Sequence, residues 1–261
     1  MKKKSDRHTR QTVKRDKQVD RYKSLVDIGR ALSSEKEISG IIDLVLDKAL
    51  ETTDSDAVSI YLTEQIRIDS IGNASRKFHT VLRYHRSASR ASGKISHNKV
   101  LEIDGKSIAG YVAMTGNFVR LEDCYAITAD SQFHFNPEMD NENNYHTKSM
   151  LAIPIQTSEG KIRGVLQLIN KLRPGSRSFL EPIVPEEKDI IPFNDHDEEL
   201  MRVFASQTCS AIENAKLTED IENLFESFIR ASVTAIESRD PSTSGHSDRV
   251  AVLTVELARA A

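Results

Sequence analysis

The spacing of the apolar residues changes twice along this chain, and these changes constrain the fold more than any other sequence feature. In Val19–Leu32 and Ile38–Leu50 the apolar residues recur mostly every three or four positions, which predicts two amphipathic helices. We expect Ser34 to cap the second of these helices. The pattern then changes to that of β-strands, and over Asp195–Ser238 it returns to the helical period.

Segments with strand composition lie between the predicted helices, and turn signals separate them. Gly72-Asn73 and Ser158-Glu159-Gly160 indicate turns, and Gly105–Thr115 predicts a short helix that ends at Gly116. The predicted strands are Ala57–Leu62, Phe78–Tyr84, Phe118–Leu121, Ser149–Ile155 and Ile162–Ile169. This order of elements predicts an α+β domain with an antiparallel sheet and helices packed against it.

Two irregular regions interrupt the pattern of helices and strands. The polar segment Cys124–Asn144 predicts a lid with one or two helical turns. Arg173–Pro192 holds four of the seven prolines, which predicts that this loop contains no regular element. Because a lid beside one face of a sheet can enclose a ligand cavity, we expect a binding site between the lid and the sheet.

Charge and composition narrow the functional classes. The formal net charge of -3 argues against a dedicated nucleic-acid binder, which carries a basic excess. No stretch approaches the roughly 20 apolar residues that span a bilayer, and the start, Met1–Lys23, lacks the apolar core of a secretory signal. Cys124 and Cys209 have no metal-type spacing, which predicts reduced thiols in a cytoplasmic protein. The basic leader 1–18 predicts a flexible solvated tail, with a helix extension or a contact with an anionic surface as alternatives.

Several segments together resemble the GAF family, named for its occurrence in cyclic-nucleotide phosphodiesterases and other signalling proteins. These segments are Gly105–Gly116, Leu121–Ala126, the lid residues Phe133, Phe135 and Asn136-Pro137, then Tyr145–Ile155 and Gly164–Lys171. The resemblance covers roughly Val19 to Lys216. It implies a GAF-type antiparallel sheet with flanking helices and a lid, in a small-ligand-sensing regulatory module of a bacterial signalling protein.

One motif within this resemblance is more specific. Asn170-Lys171, Phe193 and Asp197-Glu198 resemble the Asn-Lys-Phe-Asp-Glu signature of cyclic-nucleotide-binding GAF domains, although the interval before Phe193 is long. Lys171 ends the last predicted strand, and Asp197 lies in the first turn of the final helix, where an acidic side chain suits the helix dipole. An ion pair between them would hold the helix against the sheet. The motif is therefore either a scaffold bridge or a sign of cyclic AMP or cyclic GMP binding.

The candidate ligand site combines residues of the short helix, the lid and the strand that follows it. A purine needs an aromatic or apolar face and a few polar contacts at its edge, and an anionic cyclic phosphate can use the amides at a helix start. Each candidate could equally be an ordinary lid or capping residue. The candidate ligand-binding residues are Ser107, Ile108, Ala109, Asp123, Asp130, Phe133, Tyr145 and Thr147.

After Leu224 the sequence resembles a second protein family. Ala235–Val250, followed by an amphipathic segment, resembles the start of an HD-GYP domain, a metal-dependent phosphohydrolase that cleaves cyclic di-GMP. Asp240-Pro241 predicts a helix end and Ser244-Gly245 a turn, which sets His246 at the start of the next helix. The resemblance implies that His246 lies near a divalent iron or manganese centre in a complete domain. On its own, a histidine at a helix start is usually a capping or surface residue.

The sequence after His246 contains no His-Asp pair and no Gly-Tyr-Pro segment, so we expect no catalytic residue and no cofactor in the chain as given. We interpret residues 19–216 as a GAF sensory domain, 217–238 as a linker helix and 239–261 as the truncated start of an all-α HD-type domain. The apolar stripe of the long helix predicts a parallel homodimer. The alternatives are a GAF-regulated cyclic di-GMP phosphodiesterase whose C-terminal part is missing here, and a purely structural dimerisation module.

Overall fold

The computed structural model describes residues 26–68, 77–90, 93–174, 185–239 and 246–260. The contacts divide the chain between Glu213 and Asn214 into two units, each of which is described by itself. Several predictions lie outside the described residues. These are the leader 1–18, the first part of the predicted helix (residues 19–25), the Gly72-Asn73 turn and the break at residues 240–245.

The α-helices of the first unit lie at both ends of its sequence and around the lid. Their bounds are 26–34 for α1, Ile38–Thr53 for α2, Ile108–Thr115 for α3, Glu138–Asn143 for α4 and Asp195–Arg239 for α5, which continues into the second unit. Helix α3 begins where Ser107 Oγ accepts a hydrogen bond from the Gly110 amide at 3.0 Å. It ends at Gly116, whose φ of 70° favours glycine. The predicted short helix and its end at Gly116 are confirmed, although the helix begins at Ile108 rather than at Gly105.

An antiparallel sheet forms the centre of the first unit. Its strands are β1 Ser55–Ile68, β2 Lys77–Ser89, β3 Gly93–Ser96, β4 Val100–Leu101, β5 Val119–Leu121, β6 Met150–Gln156, β7 Ile162–Leu172 and β8 Ile190–Ile191. The main strand order is β3-β2-β1-β7-β6-β5, with β4 paired to β2 and β8 paired to β7. The predicted strands correspond to β1, β2, β5, β6 and β7, and the antiparallel α+β architecture is confirmed.

Strand alternation gives the sheet two faces with different partners. Val58, Ile60 and Leu62 of β1 are buried on the face that α2 covers. The other face carries α3 and the segment 124–144, which we call the lid; Tyr61 and Val165 belong to the hydrophobic cluster on that side. The expected helical turns of the lid are present as a 3-10 turn at Cys124–Ala126 and as α4.

Two local expectations are wrong. Ser34 does not cap α2, because it is the last residue of α1 and its Oγ donates to the Ala31 carbonyl at 2.9 Å; α2 begins after Glu37 without a side-chain cap. The Arg173–Pro192 loop also contains regular structure, since Glu187–Asp189 forms a 3-10 turn and β8 pairs with the end of β7. Strands of two residues are too short for alternation to reveal them, which is why the sequence pattern does not predict β4 or β8.

The second unit contains the part of α5 that begins at Asn214, and α6, which spans His246–Ala260. The long helix predicted from Asp195 is confirmed, and His246 stands at the start of a helix as expected. No helix among the described residues is long and apolar enough to cross a membrane.

Candidate functional site

A row of polar side chains crosses the face of the sheet that the lid covers. The strand register pairs Ser87 of β2 with Ser59 of β1, and Ser59 with Gln167 of β7. Beyond Gln167 the next residue across the sheet is Ala152 of β6. Because residues paired across neighbouring strands share one face, the three polar side chains lie side by side. We call Ser87, Ser59 and Gln167 the polar row.

Gln167 is the member of the polar row best placed to hold a ligand. It is 7% exposed, and the described part of the chain supplies no hydrogen-bond partner for its carboxamide. A carboxamide can both donate and accept hydrogen bonds. Its neighbours in the strand, Leu166 and Leu168, are buried on the opposite face. A ligand with complementary polar groups at this point would satisfy Gln167.

Aromatic rings line the sheet beside the polar row. The β1–β2 register shifts just before Tyr61, and this bulge brings Tyr84 onto the same face as Ser87. The Tyr84 ring stacks on Tyr61 with centroids 4.6 Å apart and on His97 with centroids 4.0 Å apart. Burial raises the pKa of Tyr61, and the neighbouring Tyr84 adds to this shift, so the ring stays neutral. The stack forms a wall of the kind that a flat heterocycle packs against.

The carboxylate of Asp140 in α4 joins two parts of the lid to the segment before β6. It accepts hydrogen bonds from the Tyr125 hydroxyl at 2.8 Å and from both the amide and the hydroxyl of Thr147 at 2.7 Å. Tyr125 also stacks on His146 and meets Phe135 edge to face. Loss of hydration and the hydrogen bond to Asp140 raise the pKa of Tyr125 to about 12. The first turn of the lid, α4 and the segment before β6 are therefore held together at one point.

Some of the candidate ligand-binding residues lie directly over the sheet. Ile108, Ala109 and Phe133 meet in the hydrophobic cluster on the lid-facing side, where the apolar face of a ligand would lie. Ser107 and Asp123 are engaged as caps, because Ser107 accepts from the Gly110 amide and Asp123 accepts from the Tyr125 amide at 2.9 Å. Their roles as ligand contacts stay predictions.

The remaining candidates have structural partners or face solvent. Thr147 donates to Asp140, and the Tyr145 hydroxyl donates to the buried Asp56 carboxylate at 2.7 Å. Burial raises the pKa of Tyr145, and the charge of Asp56 adds to this effect. Asp130 is exposed. The structure accounts for Tyr145 and Thr147 as parts of the framework around the site, and a contact of either with a ligand stays a prediction.

The signature residues form a junction at the end of β7. Asn170 has a φ of 52°, and its carboxamide accepts from the Lys148 amide at 2.8 Å and donates to the His146 carbonyl at 2.7 Å. The ion pair expected between Lys171 and Asp197 is present and buried, and Asp197 lies in the first turn of α5. The junction therefore ties the end of β7 both to the segment before β6 and to α5.

The other signature residues belong to the same junction. Phe193 is buried just before α5, and the Glu198 carboxylate lies 3.1 Å from the Arg202 guanidinium and 3.6 Å from that of Arg120. Arg120 of β5 also binds Asp195 at 2.6 Å. These contacts give the motif the scaffold role considered above. Its use as a sign of cyclic-nucleotide binding stays a prediction.

Sequence reasoning misses Gln167, Ser59 and His97 as site residues. A usable signal exists for Gln167, because a polar residue between Leu166 and Leu168 in a buried strand must face away from both. The same signal marks Ser59, which lies between the buried Val58 and Ile60 of β1. No comparable signal marks His97. The position of His97 beside Tyr84 depends on the β1–β2 bulge and on the path of the chain after β3.

The described residues offer neither a metal centre nor a reactive thiol at this site. No group of three or more His, Cys, Asp or Glu among them could hold a metal ion. Cys124 is 1% exposed, and burial raises the pKa of its thiol to about 12, so it is protonated and unreactive at neutral pH. His246 begins α6, but its side chain lies outside the described part of the chain, and its metal role stays a prediction.

A sheet with a helix on one face and a lid over a polar row on the other has the architecture of a small-ligand sensor domain. The GAF domain model matches residues 37–212, which is more than half of the sequence. The chain therefore belongs to the GAF domain family.

Solved structures share this fold at low sequence identity. The GAF domain from an Acinetobacter phosphoenolpyruvate-protein phosphotransferase has a TM-score of 0.50 and 17% identity, covering 77% of this chain and 97% of that chain. Residues 122 to 287 of a methyl-accepting chemotaxis protein have a TM-score of 0.51 and 18% identity, covering 73% of this chain and 98% of that chain.

Curated relatives are considerably longer proteins. The chain is 27% identical to the dual 3',5'-cyclic-AMP and -GMP phosphodiesterase 11A of Takifugu rubripes, over 74% of this chain and 18% of the relative. It is 26% identical to the cGMP-specific 3',5'-cyclic phosphodiesterase of Drosophila erecta, over 77% of this chain and 16% of the relative. The chain thus spans less than a fifth of the length of these relatives.

The substitution Lys171→Met tests the buried ion pair. We expect it to lower the free energy of unfolding by about 3–5 kcal/mol, because the Asp197 carboxylate stays buried without its counter-charge. Urea denaturation measures the change. The matched control is Lys188→Met, since Lys188 pairs with Glu186 at the surface and its loss has little effect. Equal stability of the two variants would contradict a supporting role for the buried pair.

Proposed function

We propose that this GAF domain is a regulatory module that binds a purine cyclic nucleotide, cyclic GMP or cyclic AMP, between the polar row and the lid. The observation that carries the proposal is the position of Gln167 on the lid-facing side of β7, where the residue is 7% exposed and the described residues supply no hydrogen-bond partner for its carboxamide. A carboxamide suits the mixed donor and acceptor edge of a purine. The curated relatives, which are named for acting on cyclic AMP and cyclic GMP, support this choice of ligand.

The rest of the nucleotide has a complementary environment. The Tyr61–Tyr84 stack and the apolar side chains of Ile108 and Phe133 suit the faces of the base. The first amides of an α-helix have no partner within the helix, so the start of α3 suits an anionic cyclic phosphate. The cyclic nucleotide would thus contact strand β7 through its base and α3 through its phosphate.

The signal from the bound ligand would leave the site through strand β7. Lys171 at one end of β7 pairs with Asp197, and Arg163 at the other end donates to Glu213 of the same helix at 2.8 Å. The two attachment points are about 26 Å apart along the strand and about 24 Å apart along the helix. Because these lengths match, β7 and the first part of α5 would move as one body when a ligand contacts Gln167.

Gln167→Leu tests the ligand site. We expect the affinity for cyclic GMP and cyclic AMP to fall at least about tenfold, because the variant loses a hydrogen bond to the base. Stability without ligand should change little, since no side-chain hydrogen bond among the described residues is lost. Isothermal titration calorimetry measures the affinity, and denaturation measures the stability.

The matched control for this substitution is Gln65→Leu, because Gln65 is an exposed residue of β1. It should bind like the wild type. Wild-type protein that binds neither nucleotide at millimolar concentration would contradict the proposed ligand and would favour a purely structural dimerisation module.

We further propose that the chain forms a parallel homodimer through the part of α5 in the second unit. Its apolar residues are spaced alternately by four and three, as in a heptad repeat. Those of the stripe are Leu217, Ile221, Leu224 and Phe228, each more than half exposed. A parallel pairing places Asp220 opposite Phe225 and Ser227 opposite Ser232 of the second copy, so no like charges face each other across the stripe.

Leu224→Glu tests the homodimer. The wild type should sediment as a dimer and the variant as a monomer, because the substitution puts a charge into the centre of the stripe. The variant should still fold, since Leu224 is exposed within a single chain. Asn223→Glu, on an exposed neighbouring position, is the control and should remain dimeric. A monomeric wild type would contradict the proposal.

The segment after α5 supports a proposal about a longer parent protein. Ala235–Val250 resembles the start of an HD-GYP domain, and α6 begins at His246. We propose that the parent is a GAF-regulated cyclic di-GMP phosphodiesterase with an iron or manganese centre. The described residues do not form that centre themselves. A chain extended in its natural reading frame should contain metal and hydrolyse cyclic di-GMP, and an extension lacking both properties would contradict this proposal.

A further inference from the structure

His97 lies at the end of the polar row and contacts it directly. It follows β3, where its amide donates to the His85 carbonyl at 2.9 Å. Its ring stacks on Tyr84 with centroids 4.0 Å apart and planes only 8° apart. Its Nε2 lies 2.9 Å from Ser87 Oγ, which is a hydrogen-bond distance. The ring is therefore fixed in orientation by one stack and one hydrogen bond.

The charged groups around His97 are engaged with other residues. Lys94 of β3 binds Asp43 and Asp47, and Lys99, between β3 and β4, lies 3.7 Å from Glu138. Besides Tyr84, the titratable or charged residues of β2 are Lys77, His79, Arg83, His85 and Arg86. Of these, His79 pairs with Glu102, Arg83 with Glu64 and Arg86 with Asp43. Burial lowers the pKa of His97 from its ordinary 6.5, so the ring is neutral at physiological pH and takes up a proton only at a pH below 6.5.

We propose that His97 is a specificity-determining residue whose protonation state decides whether Ser87 accepts or donates a hydrogen bond at the end of the polar row. This inference rests on the proposed binding of a purine cyclic nucleotide. In the neutral ring we assign Nε2 as the acceptor, so Ser87 donates to His97 and presents its lone pairs to the site. In the charged ring Nε2 donates, and the Ser87 proton turns towards the site.

The two purines differ in the group that would form a hydrogen bond with Ser87. Adenine carries an amino group, which donates, where guanine carries a carbonyl oxygen, which accepts. A Ser87 that accepts therefore favours cyclic AMP, and a Ser87 that donates favours cyclic GMP. Since a single neutral hydrogen bond is exchanged, we expect the preference for cyclic GMP over cyclic AMP to rise about fivefold from about pH 7.5 to a pH at which the His97 ring is protonated.

Calorimetric titration of both nucleotides at the two pH values tests the inference. The variants are His97→Phe, which keeps a ring to stack on Tyr84 but has no Nε2, and Ser87→Ala. Both should bind with an affinity ratio that does not change with pH. The control His79→Phe removes an exposed histidine that pairs with Glu102 and should behave like the wild type.

The outcomes separate this inference from the proposed function. Binding of neither nucleotide at either pH would overturn the proposed function and this inference with it. Binding with an affinity ratio that is constant in the wild type, or that still changes with pH in His97→Phe, would overturn only the role of His97.

A measurement without ligand guards against variants that fold poorly. The ¹⁵N chemical shifts of the wild-type His97 ring report its tautomer, and we expect the proton on Nδ1 at about pH 7.5. A neutral ring with its proton on Nε2 would overturn the inference, because Ser87 would then accept from His97 in both protonation states.

Discussion

The ion pair between Lys171 and Asp197 is the contact on which the arrangement of sheet and helix α5 depends. It sits where β7 ends, next to Asn170, whose backbone is left-handed and whose carboxamide ties the strand end to the segment before β6. A buried charge cannot leave its partner without a large loss in free energy. The pair therefore fixes the start of α5 relative to the strand, and Ser149 adds to the junction by accepting from the Lys171 amide.

Strand β7 contacts the proposed ligand site and helix α5 through different residues. Its lid-facing side carries Gln167 in the polar row, while its ends hold α5 through Lys171 and Arg163. The lid depends on a second buried acid, Asp140, which binds Tyr125 and Thr147 and closes over the same face. A ligand enclosed there would contact a strand that cannot shift without moving the first part of α5. The proposed ligand site and helix α5 are thus attached to the same strand, so coupling between them does not require a longer chain of contacts.

Local sequence patterns predict the architecture well because each depends on residues close together in the chain. Short apolar runs bounded by turn signals locate β6 and β7, and the glycine requirement at φ 70° locates the end of α3 at Gly116. The Lys171–Asp197 pair follows from the family motif. The polar row cannot be predicted from local patterns or from the motif, because it depends on the cross-strand register and on a bulge that brings Tyr84 and Ser87 to one face. At Ser34 a local pattern gives a wrong prediction. Serine is a good capping residue, but its side chain bonds to the Ala31 carbonyl at the end of α1 and does not cap α2.

Hydrogen exchange across residues 195–213 of α5 tests the central claim, that ligand contact at the polar row reaches this helix through β7. With saturating cyclic GMP, we expect altered exchange in the lid and also in this part of α5. In Arg163→Met, which removes the partner of Glu213, the change in the lid should persist and the change towards Glu213 should be lost. Exchange that changes only in the lid, or that changes equally in α5 of the wild type and of Arg163→Met, would contradict the account.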